Sequence, residues 1–203
     1  MESTRAAARP FGMRLLGPNS LGVLVPTHHM NASYAHMNVQ PGKVAFVGQS
    51  GMLGSAIIDW AAGRGLGFSY FLTLGDTMDV DLADVVDYLA GDRGTKAVLL
   101  HIEHLRNPAR FISAVRAASR NKPVLIFKSS APPGFETLGE VPGVSHPNII
   151  WAEVFRRAGV FQVTSLERLF DALETLTRLK PIHGKRLAIM ANGIGPALLA
   201  YDK

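Results

Sequence analysis

Gly42-Lys43-Val44-Ala45-Phe46-Val47-Gly48-Gln49-Ser50-Gly51-Met52-Leu53-Gly54-Ser55 holds a strand, a tight turn and a helix start in fourteen residues. The run Val44, Ala45, Phe46, Val47 is apolar without alternation, as in a strand covered on both faces. Gly48, Gln49, Ser50 and Gly51 break it. Apolar residues then recur at Met52, Leu53, Ile57 and Trp60, the spacing of one helical face. A strand that turns directly into a helix aims unpaired backbone N–H groups and the positive end of the helix dipole at one point, where an anion can sit. The stretch lacks the Gly-Lys-Ser/Thr ending of a phosphate-binding loop and does not fit G-x-G-x-x-G. Ser50 also reads simply as an N-cap.

The same grammar continues outward. Strand-like runs are expected at 44–47, 68–74, 97–102, 123–128, 160–163 and 186–191, with helical patterns at 52–64, 82–90, 108–120, 149–158 and 165–179. Start signals stand where helices need them: Asp79 or Asp81, Asn107-Pro108, and Thr164 or Ser165. Strand and helix in alternation give a doubly wound, parallel α/β sheet of flavodoxin-like type, with ligands at the carboxyl ends of its strands. Residues 31–180 form this domain. Residues 1–30 read as the tail of another α/β domain, with a helix at 4–8 and a short strand at 13–16, followed by a linker. Residues 181–203 read as the first strand and helix of a third domain, cut from a longer protein. Their apolar face predicts self-association, so a homo-oligomer is one expected partner.

Composition narrows the function. The 203 residues are 47% hydrophobic, enough for a substantial core. With no cysteine, disulfides, thiol catalysis and Cys-based zinc sites are excluded. No apolar run approaches the ~18 residues of a membrane span, and no apolar h-region follows the N-terminus. A cytoplasmic protein without membrane or secretory signals is expected. The net charge of +5 is dispersed and carries no interleaved aromatics, which argues against nucleic acid and fits a polyanionic small molecule equally well.

An ordered set of motifs carries a resemblance. Gly17-Pro18-Asn19-Ser20-Leu21-Gly22, Gly48-Gln49-Ser50-Gly51, Gly75-Asp76, Asn121-Lys122-Pro123-Val124 with Lys128-Ser129, and Phe155-Arg156-Arg157-Ala158-Gly159-Val160 together resemble the NDP-forming acyl-CoA synthetases, relatives of succinyl-CoA synthetase. Met13 to Gly22, Gly67-Phe68-Ser69-Tyr70-Phe71 and Ala117-Ala118-Ser119-Arg120-Asn121-Lys122-Pro123 look closer to the synthetase-like region of bacterial protein lysine acetyltransferases, which carry a GNAT domain. The resemblance implies a CoA-binding Rossmann domain before this one, a second flavodoxin-like domain and an ATP-grasp module after it. It implies CoA or acetyl-CoA as ligand, a CoA thioester as substrate, and ATP or ADP with Mg²⁺ only through the ATP-grasp module.

The resemblance also assigns roles. Gly17, Pro18, Asn19 and Ser20 match the segment near the thiol end of CoA, although the turn reads equally as a structural joint. Gln49, Ser50 and Gly51 match the helix N-terminus that faces a phosphorylated histidine, and Glu103 matches the glutamate that partners that histidine. Chemistry supports both: fixed N–H donors stabilise a transferring phosphoryl group, and a carboxylate can hold an imidazole in one orientation. His101 and His104 flank Glu103 but read as ordinary strand-end residues, and His28 and His29 as surface.

The phosphohistidine should lie between Lys128-Ser129 and the helix ending at Ala158. No histidine stands in the expected register at 138–142. His146 is the candidate, but it lies nearer the helix than the family pattern and is followed by Pro147. The leading expectation is therefore an acetyltransferase fragment whose synthetase-like region is inactive as a ligase and binds CoA or acetyl-CoA for regulation. The alternative is an ADP-forming acyl-CoA synthetase working through His146. A third is a non-enzymatic flavodoxin-like interaction module; Gly48 occupies the strand end where a receiver would place its Asp. Asp76, Asp79 and Asp81 read as dipole-favoured helix-start residues rather than as a metal site, since no EF-hand spacing follows.

Overall fold

The computed structural model describes residues 2–129, 147–178, 184 and 186–202. In chain order the strands are β1 (Gly22–Val25), β2 (Met30–Ser33), β3 (Gln40–Gly48), β4 (Gly67–Thr73), β5 (Ala97–Ile102), β6 (Val124–Lys128) and β7 (Phe161–Val163). The helices are α1 (Glu2–Ala8), α2 (Gly51–Ala62), α3 (Leu82–Gly91), α4 (Pro108–Ser119), α5 (Pro147–Ala158), α6 (Leu166–Arg178) and α7 (Ile194–Tyr201).

The seven strands form one sheet in the order β2-β1-β4-β3-β5-β6-β7. From β4 to β7 all pairs are parallel, and this part has the doubly wound flavodoxin-like order. Val44, Ala45, Phe46 and Val47 are fully buried, because helices cover both faces. One core joins β3, β4, β5 and β6 to α3, α4 and α5 through Val47, Val86, Leu100, Val115 and Phe155. On the other face Phe46, Ile57, Leu99, Leu169 and Leu173 bring α2 and α6 against the same strands. Helix starts follow the sequence. Ser50 caps α2 by accepting from Leu53 N–H at 3.2 Å, Asp81 and Asp84 form a capping box on α3, and Asn107 caps α4 ahead of Pro108.

Three expectations are corrected. The sheet is mixed: β1 and β2 form an antiparallel hairpin, and β1 pairs antiparallel with β4. Gly22–Val25 and Met30, within the 1–30 segment expected to be the tail of another domain and a linker, are thus strand residues of this sheet. Residues 13–16 form no strand, since they take up isolated bonds, such as Val80 N–H to Leu15 carbonyl at 3.1 Å, rather than a ladder. Residues 186–191 form no strand either. Leu187 is 86% exposed and Met190 99%, and among the described residues no strand pairs with their backbone. Helix α7 is likewise uncovered, with Ile194 and Leu199 exposed.

Candidate functional site

In the parallel order the chain reverses direction between β3 and β5, and their carboxyl ends open the crevice where such folds take ligands. Gln49, the first residue past β3, spans it. Its side chain is 3% exposed. Oε1 accepts the backbone N–H of Glu103 at 2.7 Å and of His104 at 3.0 Å, while Nε2 donates to the His104 carbonyl at 2.9 Å. All four bonding positions of a primary amide cannot be met by water in such a place, so this side chain fixes the spacing of the two strand ends.

The turn before α2 then needs no further ligand to hold its shape. Ser50 caps Leu53, and the N–H groups of Gly51 and Met52 in the first turn have no intrahelical acceptor. They meet the positive end of the dipole and suit an anion. Glu103, whose backbone N–H Gln49 holds, is half-buried, and its carboxylate has no hydrogen bond or ion pair among the described residues. The structure thus brings together Gln49, Ser50, Gly51 and Glu103.

Gly17, Pro18, Asn19 and Ser20 lie at the same edge, pressed against the end of β4. Ser20 Oγ donates to the Thr73 carbonyl and accepts from Gly22 N–H at 2.9 Å; Thr73 Oγ1 accepts from Leu21 N–H at 2.6 Å. The carbonyls of Pro18 and Gly17 accept from Asp76 and Met78, both at 2.9 Å, and Asn19 Nδ2 donates to Asp76 at 2.6 Å. Gly75 explains the close approach: its φ is +56°, and a Cβ there would stand 1.9 Å from the Pro18 carbonyl oxygen. Most polar groups of this turn are engaged internally. Leu21 links it to α2, its backbone N lying 3.7 Å from where a Gly51 Cβ would be.

Surrounding loops are tied down by Arg106, which no motif contains, and by His104, expected to be an ordinary strand-end residue. Arg106 donates to the carbonyls of Thr77 and Met78, and His104 Nε2 lies 3.5 Å from both Thr77 Oγ1 and Gln49 Nε2. Their only sequence signal was position, after a strand on the carboxyl side. Of the three acidic residues expected at a helix start, only Asp81 caps one; Asp76 accepts from Asn19, and Asp79 from Arg14 and Leu15 N–H. A hydrogen bond from Arg14 holds the Asp79 carboxyl below its usual range, helped by Leu15 N–H. Burial pushes Asp84 up, but Arg110 and the Asp81 backbone N–H more than offset it. Among the described residues no group of three or more Asp, Glu, His or Cys side chains could hold a metal ion, and no helix is long and apolar enough to cross a membrane. His146 lies outside the described residues.

The larger hollows are elsewhere. One of about 340 Å³ is lined by Arg5, Arg9 and Arg14 beside α1, and an apolar one of about 530 Å³ lies between the hairpin and α3. The hollow beside Gln49, Thr77 and His104 holds only about 10 Å³. That is too little for an organic ligand. The carboxyl edge therefore offers an anion a surface of donors rather than a closed cavity.

Comparison with known proteins agrees with the fold. The profile of the family described as "Succinyl-CoA ligase like flavodoxin domain" matches residues 41–176. The chain is 32% identical over 202 residues to the alpha subunit of acetate–CoA ligase (ADP-forming) II of Pyrococcus furiosus, covering 97% of the chain and 43% of that protein. It is 30% identical over 201 residues to the alpha subunit of isoenzyme I, covering 96% and 43%. Among solved structures, the dinucleotide-forming acetyl-coenzyme A synthetase 1 of Ca. Korarchaeum cryptofilum, in complex with phosphate and ADP, superposes with a TM-score of 0.84 at 28% identity, over 99% of the chain and 44% of that structure. The chain spans less than half the length of each. None of these three is named as an acetyltransferase, so they lend no support to that side of the resemblance.

Proposed function

Because the chain belongs to the succinyl-CoA ligase like flavodoxin domain family, we propose that it is the phosphoryl-handling portion of an ADP-forming acid–CoA ligase. The observation that carries this reading is the Gln49 clamp, which ties the turn leading into α2 to the backbone of Glu103, whose carboxylate makes no hydrogen bond or ion pair among the described residues. This rests on the site and not on the fold alone, which many functions share.

In this reading the ligase interconverts acyl-CoA, ADP and phosphate with free acid, CoA and ATP. A bound phosphoryl group supplies the transferable phosphorus and its negative charge. The chain's part is electrostatic. Gly51 and Met52 present N–H donors that are already fixed, so no reorganisation opposes charge development on the oxygens. Glu103 accepts an imidazole N–H and holds that ring's tautomer and direction. His146 is the histidine proposed to carry the phosphoryl group. Gly17, Pro18, Asn19 and Ser20 are proposed to lie against CoA, with backbone rather than the engaged Ser20 hydroxyl facing it. Nucleotide and Mg²⁺ would be handled by a portion of the ligase other than these residues.

The test is to incubate the ligase that carries this chain with ATP labelled at its γ-phosphate. Acid-labile, alkali-stable label that His146→Ala abolishes is expected. Absence of such label, or its persistence in His146→Ala, would remove His146 from the reaction. Loss of label in Glu103→Gln, with nucleotide binding retained, would support the carboxylate's role.

A further inference from the structure

His101 is a buried titratable group that the reading above does not use. Its ring is 2% exposed and lies 5.7 Å from that of Phe127, centroid to centroid, on the face covered by α2 and α6. Nε2 lies 2.7 Å from Ser129 Oγ. Ser129 follows β6 directly, and its backbone N–H donates to the Ile102 carbonyl at 2.9 Å, so its position is fixed by the sheet. Nδ1 is buried and has no hydrogen-bond partner among the described residues.

These facts fix the direction of the bond. Burial pushes the imidazole down to about 4, so the ring is neutral near pH 7, with one N–H and one lone pair. A proton on Nδ1 would be a buried donor with no acceptor, which is rarer and costlier than a buried lone pair without a donor. The proton therefore resides on Nε2, and His101 donates to Ser129 Oγ. The Ser129 hydroxyl then cannot give its own hydrogen to the ring, and no other acceptor for it exists among the described residues. It is a donor held open at the carboxyl edge. It follows β6, which lies two strand spacings from β3, about 10 Å.

We propose that Ser129 supplies a hydroxyl donor to a phosphoryl oxyanion at this edge, across from Gly51 and Met52, and that His101 is its positioning residue. The proposal rests on the phosphoryl-handling reading, and its ligand class is a phosphate or a phosphorylated side chain.

The test uses ¹⁵N-labelled full-length chain. The His101 ring nitrogens report the tautomer without any substitution, and inorganic phosphate is then titrated in while the Gly51 and Met52 amides are followed. Expected are an Nε2-protonated ring, phosphate shifts at both amides, and binding about tenfold weaker in Ser129→Ala, as loss of one hydrogen bond to a charged group implies. Ser129→Thr should restore binding. His101→Gln, whose amide replaces the ring donor, should bind within about threefold of the unsubstituted chain, whereas His101→Phe should fall towards Ser129→Ala. An Nδ1-protonated ring overturns the proposal and leaves the phosphoryl reading standing. Unweakened binding in Ser129→Ala has the same consequence. No shift at Gly51 and Met52 in the unsubstituted chain overturns both.

Discussion

Gln49 Oε1 accepts the backbone N–H of Glu103 at 2.7 Å and thereby joins the ends of two strands across 54 positions of sequence. The same oxygen takes His104 N–H at 3.0 Å, and the amide nitrogen returns a bond to the His104 carbonyl. The site's geometry thus depends on one buried side chain, which ties the turn that starts α2 to the loop after β5.

Replacing that side chain should cost stability and function together. Gln49→Leu leaves two backbone N–H groups and a carbonyl without partners, and a loss of about 2–4 kcal/mol is expected. Gln49→Glu keeps the acceptor but loses the donor to His104, so it should fall between the two. Urea midpoints order the three proteins. Equal midpoints for Gln49→Leu and the unsubstituted chain would refute the clamp.

Gly75 tests the joint between the Gly17 turn and β4. A Cβ at Gly75 would meet Pro18 carbonyl oxygen at 1.9 Å, on a backbone with φ +56°. Gly75→Ala should therefore cost well over 2 kcal/mol, since strain and displacement add. Gly65, with φ +64° and nothing within 4 Å of a Cβ, is the control. Gly65→Ala should cost about 1 kcal/mol. Similar losses at the two positions would deny the close approach.

Asp81 caps α3 and completes its box with Asp84. Asp81→Ala should lose about 1–2 kcal/mol and Asp81→Ser much less. Thermal unfolding of the two variants gives the comparison, and an equal effect would point to charge rather than capping.

His101 predicts a pH dependence. Its folded-state value, about 4, lies below the ordinary 6.5 because burial disfavours the imidazolium. Between those values the unfolded chain binds more protons, so stability rises with pH and is lost as pH falls from about 6.5 to about 4. Up to about 3 kcal/mol is at stake. The difference between the unsubstituted chain and His101→Gln across this window isolates it from the other histidines. A flat difference would mean that the ring titrates normally.

The doubly wound core was legible because continuous apolar runs such as Val44 to Val47 are what two-sided burial selects. The helix caps Ser50, Asp81 and Asn107 were equally readable, since each satisfies donors of the turn that follows it. The β1–β2 hairpin was not. Val23-Leu24-Val25 and Met30-Asn31-Ala32-Ser33 are short, and β1 joins the sheet through β4, a contact 51 residues away at Gly22 that no local pattern encodes: Gly22 pairs with Thr73, Val23 with Leu72.

At the site, Gln49, Ser50, Gly51 and Glu103 were readable as motif positions. The reason Gln49 matters was not, because its partners are backbone groups of residues 103 and 104. His101 showed the opposite failure. Beside Glu103 it reads as an ordinary strand-end histidine, and only its burial and the hydroxyl of Ser129 at 2.7 Å distinguish it.

The central claim, that the start of α2 is a phosphoryl site held by Gln49, is tested most directly by adding inorganic phosphate to the ¹⁵N-labelled chain at constant ionic strength. The account predicts saturable shifts at the Gly51 and Met52 amides that chloride does not produce and that Gln49→Leu abolishes. Amides that respond equally to chloride and phosphate, or that respond unchanged in Gln49→Leu, would contradict it.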